Sequence, residues 1–146
     1  MKKAKLRTRI TICILLLSLL ALPLGCSEES TTKLKVVATT SLISSIVEQL
    51  GGEQVQVSNI IPAAQCPGHF DVKLSDMQML SDAKLFLMHG WQGELFTEQL
   101  IESADNPDLV VNSLDIMGNW MAPQFQGEAV GKIASALAEV NPENAS

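Results

Sequence analysis

The sequence predicts an α/β fold, a small four-stranded parallel sheet with helices on both faces. Three observations carry that expectation. Four strand-length apolar runs, 34–38, 55–61, 85–88 and 109–114, are separated by segments of helical periodicity. The runs are predominantly apolar, 85–88 entirely so, as strands covered on both faces require. Turn residues fall between them, at Gly51-Gly52, Pro62 and Asn106-Pro107-Asp108. Strands alternating with helices in this way are joined by crossovers of one hand, which distribute the helices over the two faces.

Each element has its own signals. Leu34 to Ala38 form a β-branched apolar strand, and Thr39, Thr40 and Ser41 follow as candidates to cap a helix. Ile43, Ile46, Val47 and Leu50 recur at helical spacing before Gly51-Gly52 stops the turn. Val55 to Ile61 read as the second strand, and a loop runs from Pro62 to about Val72. Ser75 with Gln78 three residues on forms a capping box for a short helix to about Ala83. Leu85 to Met88 make the third strand, and Glu94 to Ala104 the third helix with Leu95, Leu100 and Ile101 inward. Leu109 to Leu114 are the fourth strand. Val130, Ile133, Ala134, Leu137 and Val140 then mark one face of a helix over Gln124 to Val140. Asn141-Pro142-Glu143-Asn144 carries a capping residue, a first-turn proline and an acid, the start of a further helix. The expectation is a chain cut from a longer protein, with 141–146 beginning that helix.

Charge is distributed unevenly along the 146 residues. The net charge is -6, yet Lys2, Lys3, Lys5, Arg7 and Arg9 form a basic start with no acid among them. Ile10 to Leu22 is an apolar run of thirteen residues. At about 1.5 Å per residue this is too short for ~30 Å of hydrocarbon, but it suits the core of an export signal. Gly25-Cys26 directly after it resembles a bacterial lipobox, although Leu24 stands where a small residue is usual. Residues 1–25 therefore read as a lipoprotein-type signal, Cys26 as the lipidated residue and membrane anchor, 26–32 as a polar tether, and 33–140 as an α/β lobe. That places the protein outside the cytoplasm, on the outer side of the cytoplasmic membrane or in a periplasm. Beyond residue 25 the chain keeps five lysines against all sixteen carboxylates, a net -11. Such a surface excludes nucleic acid as a partner.

Ligands of open parallel sheets bind beyond the carboxyl ends of the strands. Here that edge carries Thr39 to Ser41, Ala63 to Asp71, His89-Gly90-Trp91 and Asp115 to Met121, which together hold both histidines and the cysteine Cys66. Cys66-Pro67-Gly68-His69 has the spacing to chelate a soft or borderline ion, the Pro-Gly pair turning thiolate and imidazole to one side. The same four residues also fit a plain turn with a half-buried thiol. His89 reads equally as a ligand or as a structural histidine. Trp91 and Trp120 could wall the crevice, and Asp115, Met117, Asn119 and Met121 could add donors, the methionines suiting copper(I). No nucleophile elbow, dinucleotide fingerprint or phosphate loop is present, and no nucleophile-base arrangement is evident, so the reading is not an enzyme and has no organic cofactor.

The order of segments adds a resemblance. The export signal, Cys26, KLKVVATTSLISSIVEQLGGEQVQVSNIIP, a Pro-x-x-Phe-Asp loop leading to Ser75-Asp76, LFLMHG, and Trp120-Met121-Ala122-Pro123 before ALAEVNPEN resemble the zinc/manganese receptor family of ABC-transporter solute-binding lipoproteins. The resemblance implies one lobe of a two-lobed receptor whose lobes are linked by a long helix, with the transported metal between them. It further implies an ABC transporter permease as partner and zinc or manganese as cargo. The departures are specific. Where such receptors usually carry an Asp-Pro-His-x-aromatic segment, this chain has Cys66, Pro67, Gly68 and Phe70, with His69 one residue late. The second usual histidine position is Gly118, beside Asn119. The metal-ligand candidates are therefore Cys66 and His69, with His89 and Asn119 possible. The alternatives are a receptor of the same build for a non-metal ligand or metal chelate, and a surface lipoprotein with a structural or adhesive role.

Overall fold

The computed structural model describes residues 32–65, 68, 70–90 and 94–145. The export signal, Cys26, Cys66, His69 and Trp91 lie outside them. The described chain forms β1 (Leu34–Ala38), α1 (Ser41–Gly51), a 3-10 turn (Gly52–Gln54), β2 (Val55–Asn59), α2 (Leu74–Ser81), β3 (Leu85–Met88), α3 (Phe96–Ala104), β4 (Val110–Ser113), α4 (Pro123–Val140) and a 3-10 turn (Pro142–Asn144). All pairings are parallel and the strand order is β2-β1-β3-β4.

Strand side chains alternate between two cores. Val36 and Ala38 of β1 and Leu85 and Leu87 of β3 pack with Ile43 and Val47 of α1 and with Ala129, Ile133 and Ala136 of α4. Val37 and Phe86 point the other way, onto Leu80 of α2 and Leu100 and Ala104 of α3. Helices α1 and α4 thus cover one face, α2 and α3 the other. From β1 the chain moves outward to β2 through a helix on one face, then back across to β3 through a helix on the other. The direction of travel reverses between β1 and β3, which makes the gap between their carboxyl ends the switch point of the sheet.

Several side chains sit differently from the sequence expectation, each for a local reason. The α2 cap is not Ser75 with Gln78. Asp76 accepts the Lys73 backbone N–H at 2.8 Å, so Lys73 is the cap and the helix starts two residues earlier than a Ser75 cap would place it. Helix α3 begins at Phe96, not Glu94, which puts Leu95 outside its periodicity and leaves it 83% exposed. Phe96 takes the inward role instead, its ring 5.1 Å from that of Phe70. On α4 the buried line is Ala129, Ile133 and Ala136, while Val130 and Ala134 face solvent. Small residues let α4 approach closely, whereas a reading weighted by hydropathy favours the bulkier Val130 one position away. Leu50 is exposed at the end of α1, where it borders a groove of about 440 Å3 with Leu34, Val55 and Leu137.

The ladder continues past the strand ends and fixes the backbone of the carboxyl edge. Thr39 N–H donates to Leu87 O, Ile61 N–H to Thr39 O, and Asp115 N–H to His89 O, at 2.9, 2.9 and 3.0 Å. The connection from α3 to β4 is pinned from below by Asn106, whose amide donates to Leu80 O at 2.9 Å and to Ala83 O at 2.8 Å.

Candidate metal centre

Parallel strands bring all four carboxyl ends to one edge, and three of the loops that leave it are joined there. Thr40 precedes α1 in an extended conformation with φ -130°, the geometry of an N-cap. Its hydroxyl makes no capping bond, and lies 2.8 Å from Nε2 of His89 at the end of β3. The contact crosses the switch point. His89 is 4% exposed, and its ring meets the Trp120 ring edge-on with centroids 4.2 Å apart. Trp120 in turn donates its indole N–H to Ile116 O at 3.2 Å, which closes the loop after β4 on itself. Burial pushes the His89 pKa down from 6.5 to about 4, because the charged imidazolium loses its hydration there. The ring is neutral at ordinary pH, the form that hydrogen-bonds a hydroxyl or coordinates a metal.

Gly90 follows with φ +79°. A Cβ on it would displace Ser113 Oγ and Asp115 Oδ1, and the left-handed backbone itself favours glycine. Its N–H donates to Oε2 of the buried Glu94 at 3.1 Å. Asp115 is itself in a left-handed conformation, φ 47°, and accepts the Ser113 hydroxyl at 2.7 Å. Its carboxylate stays exposed on the edge.

The sequence candidates divide sharply. His89 is at the edge but buried, with Nε2 engaged by Thr40. Asn119 is exposed, and its Oδ1 accepts the Met121 N–H at 3.0 Å, a local turn bond. Met117 and Met121 both project into solvent, at 84% and 68% exposure. A Cβ at Gly118 would run into the ring of Phe125, whereas one at Gly68 would meet nothing within 4 Å. Among the described residues, no three His, Cys, Asp or Glu side chains converge to hold a metal ion. The Thr40–His89 pair was missed in the sequence because a threonine before a helix is read first as a cap. The carboxylate of Glu94 was missed because it lies at the head of a helical pattern, where acids are ordinary.

Comparison with known proteins identifies the family. The family model described as zinc-uptake complex component A, periplasmic (ZnuA) matches residues 36–146. The manganese-binding lipoprotein MntA of Halalkalibacterium halodurans is 29% identical over 101 residues, covering 66% of this chain and 34% of that protein. A manganese ABC transporter substrate-binding lipoprotein PsaA of Streptococcus anginosus is 31% identical over 102 residues, 64% of this chain and 33% of its own. Among solved structures, the metal-dependent lipoprotein YcdH of Bacillus subtilis superposes with a TM-score of 0.68 at 21% identity, over 77% of this chain and 47% of that one. Zn(II)-bound AdcA of Streptococcus pneumoniae gives 0.66 at 17% identity, over 77% and 27%. The chain thus spans about a third of the length of the curated relatives it matches. With the family model covering the whole lobe from Val36 onward, the chain belongs to the ZnuA family.

Proposed function

We propose that this chain is the N-terminal lobe of an extracytoplasmic receptor that captures a transition-metal ion, zinc or manganese, and delivers it to the permease of an ABC importer. The observation that carries the reading is the family match over residues 36–146. The fold supports it with a doubly wound sheet whose carboxyl edge holds His89, the edge to which the sequence reading assigns the loop of Cys66 and His69. In this reading Cys66 as thiolate and His69 as neutral imidazole are this lobe's principal ligands, Asn119 stands at the rim, and His89 serves from beneath. A second lobe following a helix that starts at 141–146 completes the coordination and closes over the ion. Cys26 carries the lipid that holds the receptor at the membrane. Calorimetry and metal analysis on the full receptor test the proposal: zinc or manganese binds, and Cys66→Ala with His69→Ala weakens binding at least about a hundredfold.

A second reading keeps the architecture and exchanges the cargo for a metal chelate or other non-metal ligand. The glycines at positions 68 and 118 favour it, since neither supplies the imidazole that the resemblance leads one to expect there. Binding of a chelated metal by a receptor that ignores the free ion would select it.

A further inference from the structure

The Thr40–His89 contact does more than join two strands, and resting on the metal-receptor reading, we infer that Thr40 is a positioning residue for cargo capture. Three observations support this. Thr40 holds the position and conformation of a helix N-cap yet makes no capping bond, so the helix forgoes the stabilisation that a threonine cap ordinarily provides. Its hydroxyl instead reaches an imidazole 49 residues away at 2.8 Å, across the switch point where the ligand crevice of such a sheet opens. The imidazole so held is pressed edge-on against Trp120, which closes the 116–120 turn through its indole N–H. The hydroxyl thus helps to hold the ring of His89, and that ring packs against the indole whose N–H closes the loop after β4. That loop carries Asn119 and the exposed Asp115, Met117 and Met121 on the rim. The loops after β1, β3 and β4 are held together before any ligand arrives, which is how groups behind a ligand shell raise affinity without touching the ligand.

The test uses the full-length receptor with Thr40→Val, which keeps the shape and removes the hydroxyl, and Thr40→Ser, which restores it. The ¹⁵N signals of His89 report the hydrogen bond, amide exchange over 116–121 reports the loop, and calorimetry with zinc and with manganese reports capture. Thr40→Val is expected to shift the His89 Nε2 resonance, speed exchange in the loop and weaken metal binding about tenfold, while Thr40→Ser returns all three to the native values. A Thr40→Val protein with native affinity and native loop exchange overturns the inference, as does a Thr40→Ser protein that shows the full Thr40→Val loss. A wild-type receptor that binds neither metal removes the cargo reading alone. Positioning is then judged by the His89 resonance and the loop exchange, where no change in Thr40→Val overturns it.

Discussion

At the scale of single residues, the carboxyl edge concentrates positions where one substitution has a large effect. Gly90→Ala must enter a left-handed conformation and collide with Ser113 and Asp115. It is expected to lower stability by at least about 2 kcal/mol, read as a shift of the urea midpoint. His89 sets a pH dependence whose sign follows from its environment. Its folded pKa lies at about 4, below 6.5, so the unfolded chain binds the extra proton first as pH falls. The contribution of the neutral ring is complete above pH 6.5 and lost as pH falls through 4. Metal-free protein is expected to lose on the order of 2–3 kcal/mol over that window. His89→Gln, compared with wild type by denaturation at pH 7 and pH 4.5, should show a distinctly smaller loss. The sequence placed Thr40 and His89 on one edge but did not show the bond between them. Thr40 and His89 are each ordinary in their local context, and only the strand order β2-β1-β3-β4 makes them neighbours.

At the scale of elements, the strands and helices follow their local signals closely, because both core faces of β1 and β3 are buried and their apolar runs have no competing reading. The errors fall where phase or capping decides. A one-position shift on α4 moves Val130 and Ala134 out and Ala129 and Ala136 in, a distinction that hydropathy alone does not make. Ala136→Leu is therefore expected to overpack the α4 seam and cost about 1–3 kcal/mol, whereas Val130→Ser should stay within about 0.5 kcal/mol of wild type. Thermal denaturation of the two variants side by side checks both. The connection after α3 is held by a single amide: Asn106→Ala leaves the carbonyls of Leu80 and Ala83 without that donor. A loss of about 1–3 kcal/mol is expected, with faster amide exchange at the end of α2.

At the scale of the whole molecule, the chain belongs to the ZnuA family, and its described residues form a parallel α/β sheet with all four carboxyl ends on one edge. Architecture was legible because it follows from hydrophobic pattern and handedness, which are properties of the entire chain. The ligand set was legible only as a list of candidates, since spacing places Cys66 and His69 on the edge but says nothing of distances between side chains. Phe125 fills the space beside Gly118, and Asn119 spends its carbonyl on a turn. Under the proposed reading a thiolate and an imidazole from the Cys-x-x-His loop supply this lobe's share of coordination, and both coordinate only when deprotonated. Metal affinity is accordingly expected to fall steeply on acidification below about pH 6. The most direct test is calorimetric titration of the metal-stripped full-length receptor with zinc and with manganese, alongside its Cys66→Ala, His69→Ala double variant. The predicted result is one ion bound per wild-type chain and a loss of at least about a hundredfold in the variant; wild-type protein that takes up neither ion contradicts it.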